Sequence, residues 1–263
     1  MLSFAAFIPH SPLLVPSVGR DALEKMPKTV AAMSRLEEEL YHAMPETIIV
    51  ISSHSIQFAE AFSMNLHDEY IGSLAEFGAS DAPASYRPDL ALIDDLQRSL
   101  RRSGIRLSLN STHGLDHGTS VPLSLLASKL PDVRVVPVSY SGLGPKEHFA
   151  FGKAIKDVVM RSGKRIAVIA SGDLSHCLTS DAPAGYRAEG AVFDELMRQS
   201  VETVSAAKLL SASPELVEAS SECAYRPLIV LFGLLENMHV RPELLSYEAP
   251  FGVGLMVAQF HLG

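Results

Sequence analysis

The chain has 263 residues, of which 47% are apolar and 20% are charged, a composition typical of one folded domain with a sizeable buried core. The formal net charge of -8 and the absence of a basic stripe argue against a nucleic-acid partner. The longest uninterrupted apolar run, residues 228–235, is far short of the ~20 residues that span a bilayer, so we expect no membrane partner.

The amino-terminal part of the chain predicts a strand–helix–strand unit. Residues 2–8 are apolar apart from Ser3, and residues 47–51 are rich in β-branched side chains, so both are predicted to be buried strands. Residues 20–43 carry apolar side chains at helical spacing and supply the crossover helix. The two strands are therefore expected to run parallel, with their carboxyl ends at the same edge of a sheet.

The alternation of strands and helices continues through the middle of the chain. Residues 62–66 alternate like a half-buried strand and lead into a polar segment, 68–87, whose length is typical of a functional loop such as a lid. The elements predicted next are a helix at 88–103, a strand at 105–110, a helix at 121–129, a strand at 133–138, a helix at 145–162 and a strand at 165–170. This order predicts an α/β fold with a mostly parallel central sheet and helices on both faces.

The last third of the chain is predicted to be mainly helical. Helices are expected at about 188–200, 201–210 and 225–238, and two closing segments, 243–247 and 253–260, could complete the sheet. Neither an internal repeat nor a linker marks a boundary, so residues 1–263 are predicted to form a single domain.

Histidines follow three of the predicted buried strands. His10 stands in Pro-His-Ser-Pro, His54 stands in Ser-Ser-His-Ser, and His176 ends the run Ser-Gly-Asp-Leu-Ser-His after strand 165–170. In an open α/β sheet the ligand crevice forms outside the carboxyl ends of the strands. We therefore expect the imidazoles of His10 and His54 to share one metal ion, with His176 at the same rim.

A carboxylate could complete this metal site. Two histidines and one carboxylate hold iron in many non-haem Fe(II) oxygenases and leave positions open for substrate and dioxygen. Glu222 is the candidate, because it precedes the apolar helix predicted from Cys223 and an acid is favoured at a helix amino terminus. Asp116 and Asp173 are other acids near this rim, and for them a role in orienting an imidazole is equally compatible with the sequence.

A further loop, residues 111–119, brings His113 and His117 to the same edge after strand 105–110. The loop also fits a purely structural interpretation, a glycine-rich turn before a helix that Thr119 or Ser120 caps. For a single histidine the structural interpretation carries more weight. However, five of the 10 histidines of the chain stand at predicted strand ends, and this number favours a functional site.

Five short motifs occur in a recognisable order: Pro9-His10-Ser11-Pro12, Ser53-His54-Ser55, Leu115-Asp116-His117-Gly118, Gly172-Asp173-Leu174-Ser175-His176 and Glu222-Cys223. Together they resemble the class III extradiol ring-cleavage dioxygenases, the family of the catalytic subunit of protocatechuate 4,5-dioxygenase. Residues 180–186 and 250–254 look more like a branch related to Memo proteins. The resemblance covers nearly the whole chain.

The resemblance implies that His10, His54 and Glu222 bind Fe(II), that His176 is the acid/base and that His117 lines the substrate pocket. The substrates would be a small aromatic diol and O2. A metal-bound catechol becomes more acidic, and an imidazole can take its remaining phenolic proton near neutral pH. The implied activity is the opening of a catecholic ring next to the diol.

Cys223 keeps two other functions open. Memo-type relatives use a cysteine with two histidines, so Cys223 is an alternative third ligand, and such a donor set favours zinc or copper over an oxygenase iron. The chain could then be a Memo-like metal-binding protein without ring cleavage, or a zinc-dependent hydrolase with a metal-bound water near His176. Serine-hydrolase and nucleotide-binding motifs are absent.

The compartment is predicted from the cysteine count and the start of the chain, and the assembly from the resemblance. Cys177 and Cys223 are too few for a disulfide framework, and the start of the chain lacks the basic region of a signal peptide, so a cytoplasmic location is expected. Several members of the family that the chain resembles work with a small partner subunit. The resemblance is therefore compatible with such a subunit or with a homo-oligomer.

Overall fold

A 10-stranded mixed sheet forms the centre of the computed structural model, which describes all 263 residues. The strands are β1 Leu2–Ile8, β2 Thr47–Ser52, β3 Phe62–Asn65, β4 Tyr70–Gly72, β5 Ala84–Pro88, β6 Leu107–Asn110, β7 Arg134–Ser139, β8 Ile166–Ser171, β9 Val240–Glu248 and β10 Leu255–Leu262. The helices are α1 Pro16–Gly19, α2 Pro27–Ala43, α3 Leu90–Arg102, α4 His117–Leu126, α5 Pro145–Arg161, α6 Ala188–Thr203, α7 Ala206–Leu210, α8 Pro214–Ser220 and α9 Tyr225–Leu235.

The centre of the sheet is parallel, as the sequence predicts. The strand order is β4-β5-β7-β2-β8-β1-β10-β9, and β5, β7, β2, β8 and β1 all run in one direction. Antiparallel β10 and β9 close one side, while β3 pairs antiparallel with β7 and carries β6 on its outer edge. The carboxyl ends of β1, β2 and β8 consequently lie side by side, with Ile8 opposite Ser171.

Helices cover both faces of the sheet because successive side chains of a strand point to opposite faces. Phe7 packs in the core that contains Phe151 of α5 and residues of α9. Its neighbour Ile8 packs on the other face, in the core that contains Leu36 of α2 and Leu123 of α4. Both residues are fully buried, which accounts for the nearly continuous apolar sequence of β1.

The polar segment 68–87 is not the long loop that its composition predicts. It contains β4, a single turn of 3-10 helix at Ala75–Phe77, and β5, which pairs antiparallel with β4 and parallel with β7. Pro88 accordingly ends a strand instead of opening a helix. α3 begins at Leu90, because Asp89 accepts a hydrogen bond from the Leu92 amide at 3.1 Å and caps the helix.

Other helices also differ from the prediction. α2 begins at Pro27, after a 3-10 segment at Arg20–Lys25, and α8 falls in a stretch for which no helix was predicted. α4 begins at His117, four residues before the predicted start, because Asp116 and not Thr119 or Ser120 is its cap. None of the helices combines the length and the apolar character needed to cross a membrane.

Candidate metal centre

Three side chains with metal-binding donor atoms meet where β1 and β2 end. His10 lies two residues beyond β1, His54 two residues beyond β2, and Cys223 two residues before α9. The Nε2 atoms of His10 and His54 are 3.1 Å apart, and Sγ of Cys223 lies 3.2 Å from Nε2 of His10. The three donor atoms lie within 4.8 Å of one another, so this cluster could hold one metal ion.

The spacing of the donor atoms suits a transition metal. Two nitrogen ligands bound at about 2.1 Å are separated by roughly 3 Å in octahedral and somewhat more in tetrahedral geometry. The observed 3.1 Å between the two imidazole nitrogens fits both arrangements. A donor set of two imidazoles and one thiolate is typical of zinc or copper and foreign to magnesium or calcium.

His10 is held so that its Nε2 lone pair faces the cluster. Its side chain is fully buried, and its backbone N–H donates to Oδ1 of Asp173 at 2.9 Å. The hydroxyl of Ser171 donates to the carbonyl oxygen of Gly118 at 2.7 Å. Because that bond uses the only hydroxyl proton, Ser171 accepts from His10 Nδ1–H at 2.9 Å, and Nε2 is left unprotonated for a metal.

The His54 loop is anchored through the N-cap of α4. The His54 amide donates to the hydroxyl oxygen of Ser52 at 3.1 Å, and that hydroxyl donates to Oδ1 of Asp116 at 2.5 Å. The same carboxylate accepts from the backbone amide and the hydroxyl of Thr119. Asp116 is therefore linked to the backbone of the His54 loop through Ser52 and not to an imidazole.

Cys223 is tied to the loop that follows β8. Its amide donates to the carbonyl oxygen of Asp173 at 3.2 Å, and the amide of Asp173 donates back to Sγ at 3.2 Å. The backbone after β8 can approach the backbone before α9 this closely only because residue 172 is glycine. A Cβ at Gly172 would lie 2.5 Å from the Cα of Ala224. The sulfur accepts from the Asp173 amide and donates to the Asp173 carbonyl oxygen at 3.4 Å, so the loop after β8 holds it in place through both bonds.

The imidazoles are held in the form that binds metals. Burial, reinforced by positive charge on the other histidines nearby, lowers the pKa of His10 well below its usual value. Desolvation and then positive charge on His117 lower the pKa of His54 to about 4. Burial raises the pKa of the Cys223 thiol, but a cation bound to the sulfur would reverse that effect, because a coordinated thiol is deprotonated.

Glu222 does not join the three-residue cluster. Its Oε2 accepts a hydrogen bond from the Tyr225 amide at 2.6 Å and so stabilises the first turn of α9. The side chain lines a separate cavity of about 500 Å3 with Arg226 and Pro145, and burial raises its pKa to about 7. The structure therefore brings Cys223, and not the adjacent Glu222, to the two imidazoles.

The two histidines expected to act on substrate both lie at this edge of the sheet. The ring of His117, the first residue of α4, is 4.0 Å from that of His54 and 5.2 Å from that of His10, measured between centroids. His176 is half-buried, its amide donates to the Ser220 carbonyl at 3.0 Å, and its buried Nδ1 has no hydrogen-bond partner. No other group of the protein therefore occupies this nitrogen.

One histidine predicted at this edge lies elsewhere, and one residue of the site was not predicted. His113 is exposed and stacks on His67 at 5.2 Å, outside the cluster, because β6 pairs with β3 at the outer edge of the sheet. The unpredicted residue is Ser171, which orients His10. Its position as the last residue of β8 is the signal that could have identified it, since that residue faces the same rim.

Comparison with known proteins gives one family and several relatives. The family described as the catalytic LigB subunit of aromatic ring-opening dioxygenase matches residues 4–258. Protein CA_C1420 of Clostridium acetobutylicum is 29% identical over 256 residues, which cover 94% of this chain and 55% of that protein.

Two enzymes named 2,3-dihydroxyphenylpropionate/2,3-dihydroxicinnamic acid 1,2-dioxygenase are also similar. The enzyme of Mycolicibacterium gilvum is 29% identical over 199 residues, 72% of this chain and 60% of its own length. The enzyme of Azotobacter vinelandii is 28% identical over 175 residues, 64% of this chain and 54% of its own. The chain thus spans little more than half the length of these curated relatives.

A solved structure shares the fold. The crystal structure of the uncharacterized protein JW3007 from Escherichia coli K12 superposes with a TM-score of 0.66 over 98% of this chain and 99% of the other, at 16% sequence identity. At this identity the similarity concerns the fold alone. The family match extends from β1 to β10 and includes His10, His54, His176 and Cys223. The chain therefore belongs to the family of catalytic LigB subunits of aromatic ring-opening dioxygenases.

Proposed function

We propose that this protein is an extradiol dioxygenase that opens a catecholic ring with O2, using one metal ion held by His10, His54 and Cys223. Membership of a ring-opening dioxygenase family supports the reaction type. The observation that carries the proposal is the 3.1 Å separation of the two Nε2 atoms, with two further imidazoles at the same edge. Fe(II) is the ion that this reaction requires.

A metal ion held by His10, His54 and Cys223 would supply Lewis acidity to a bound diol, and Fe(II) would in addition supply the redox chemistry that dioxygen needs. Ser171 keeps the His10 lone pair directed at the ion through its bond to Nδ1. His117 lies against the ring of His54 and forms one wall of the substrate site.

His176 supplies the proton chemistry in this proposal. Its Nδ1 is buried and unpaired, so it can accept the remaining phenolic proton of a bound diol and return it as the ring opens. The backbone of His176 is fixed by its bond to Ser220, and the imidazole therefore acts from a defined position.

Oxygen uptake tests the activity. The protein is purified anaerobically, loaded with Fe(II) and supplied with a panel of catechols, in which 2,3-dihydroxyphenylpropionate is included because two relatives are named for it. We expect one O2 consumed per diol and a product whose mass equals that of the diol plus O2. Stoichiometric iron without oxygen uptake on any diol would refute the proposal.

A second function is favoured by Cys223. The thiol lies 3.2 Å from His10 Nε2, and a two-histidine, one-cysteine donor set suits zinc or copper. The protein would then bind such a metal in the manner of Memo proteins without cleaving rings. Metal analysis of protein purified without added metal separates the two functions: bound zinc or copper that Fe(II) cannot replace favours the second.

A further inference from the structure

The segment that leads from β8 to His176 is held at every backbone amide. Five successive N–H groups, from Gly172 to His176, donate to acceptors on different parts of the fold. The acceptors are the Ile8 carbonyl at 3.0 Å, Cys223 Sγ at 3.2 Å, the Gly254 carbonyl at 2.8 Å, Asp194 Oδ1 at 2.8 Å and the Ser220 carbonyl at 3.0 Å.

Asp194 is the one side-chain carboxylate among these acceptors. It lies on α6, only 2% of its surface is exposed, and its Oδ1 accepts from the Ser175 amide. Its Oδ2 accepts from the hydroxyl of Tyr247 in β9 at 2.6 Å. A Cβ at Gly254 would lie 2.1 Å from the same oxygen, so the carboxylate occupies a closely bounded position.

The environment of Asp194 is unusual for a buried acid. A buried carboxylate costs free energy unless it is well hydrogen-bonded, and here its partners are an amide and a phenol instead of a cation. Burial raises its pKa, whereas the bonds from Tyr247 and Ser175 and positive charge on His176 lower it. The carboxylate therefore depends on these two bonds for its position.

His176 depends on its backbone for its position. Its Nδ1 has no hydrogen-bond partner, so no side chain orients the imidazole through that atom. The amide immediately before His176 is the one that Asp194 holds. A displacement of about 1 Å at a group that moves protons can slow a reaction by roughly 100-fold.

We propose that Asp194, itself set in place by Tyr247, is a positioning residue that aims His176 at the metal-bound substrate. The proposal rests on the proposed function, in which His176 is the acid/base. Asp194 lies on α6 and Tyr247 on β9, two elements that carry none of the sequence motifs of the site.

Kinetics of the Asp194→Asn variant test the positioning role. We expect kcat to fall about 10-fold or more with KM and metal content unchanged. Because the slowed step is a proton transfer, the solvent deuterium isotope effect on kcat should also rise. Glu202→Gln, which alters an exposed acid near the other end of the same helix, is the matched control and should leave all four quantities unchanged. An unaltered isotope effect in Asp194→Asn would overturn the proposal.

Hydrogen–deuterium exchange of the full chain separates this proposal from the proposed function. Asp194→Asn should speed exchange of the Ser175 amide about 10-fold, whether or not any diol is cleaved. Tyr247→Phe keeps the carboxylate and should produce a smaller increase, which gives a second test if Asp194→Asn fails to fold. Wild-type protein inactive on every diol would refute the proposed function. Unchanged exchange at Ser175 in both variants would overturn the role of Asp194.

Discussion

Ser171 Oγ lies 2.9 Å from His10 Nδ1 while its own proton is donated to the Gly118 carbonyl. This pair joins the last residue of β8 to the loop after β1, two strands that are neighbours in the sheet. The arrangement decides which imidazole nitrogen can bind a metal.

Ser171→Ala should weaken metal binding by roughly 10-fold to 100-fold, because His10 loses the partner that fixes its tautomer and ring orientation. Ser171→Thr retains the hydroxyl and should lie much closer to the wild type. Calorimetric titration of the metal-depleted protein measures both affinities. Equal affinities for Ser171→Ala and the wild type would show that the hydroxyl does not orient His10.

Parallel substitutions identify the third ligand. Cys223→Ser removes a donor 3.2 Å from His10 Nε2 and should abolish stoichiometric metal binding. Glu222→Gln should leave metal content unchanged, because that carboxylate bonds to the Tyr225 amide. Metal content is measured after identical purification. The reverse pattern would establish Glu222 as the ligand.

His176→Ala should retain the metal and lose nearly all turnover, since the imidazole is proposed to move a proton and not to bind the ion. His113→Ala is the control, because His113 also follows a strand but is exposed and lies outside the cluster. Oxygen uptake and metal content are measured for both variants. A fully active His176→Ala protein would contradict the acid/base role.

Stability at the opposite end of the sheet should depend on Asp89. This buried carboxylate caps α3 and accepts bonds from Thr47 at 2.6 Å and from Lys164 at 2.6 and 2.7 Å. Asp89→Ala should lower the free energy of unfolding by about 2 kcal/mol, because the cap is lost and Thr47 is left unpaired. Asp94→Ala, on the exposed face of α3, should cost less than about 0.5 kcal/mol. Urea unfolding in which the two variants are equally stable would contradict this.

The pKa of Asp89 predicts that the stability of the fold depends on pH. Burial alone would raise the pKa of Asp89, but the bonds from Lys164 and Thr47 outweigh it and leave the pKa below its usual value. The unfolded chain therefore takes up the proton first as pH falls. The stabilisation should be complete above about pH 4 and be lost as pH falls through the lower folded pKa. Thermal unfolding of the wild type and Asp89→Ala should accordingly converge in acid.

Much of the fold follows from local sequence. The runs at β1, β2 and β8 are so uniformly apolar that only buried parallel strands accommodate them, and all three are observed. The hairpin of β4 and β5 was not predicted, because both strands are short and acquire their structure from pairing with each other and with β7. The predicted start of α4 was wrong because Asp116, and not Thr119 or Ser120, caps the helix.

The sequence by itself determined that His10, His54 and His176 stand at one edge of the sheet, because the loops after parallel strands all emerge on the same side. Only the tertiary structure showed which of Glu222 and Cys223 lies beside the two imidazoles. They are neighbours in a non-helical segment, and their side chains point in different directions. The Glu222 carboxylate accepts from the Tyr225 amide, whereas the Cys223 sulfur lies beside His10. No spacing along the chain contains that information, because it depends on how α9 packs against the loop after β8.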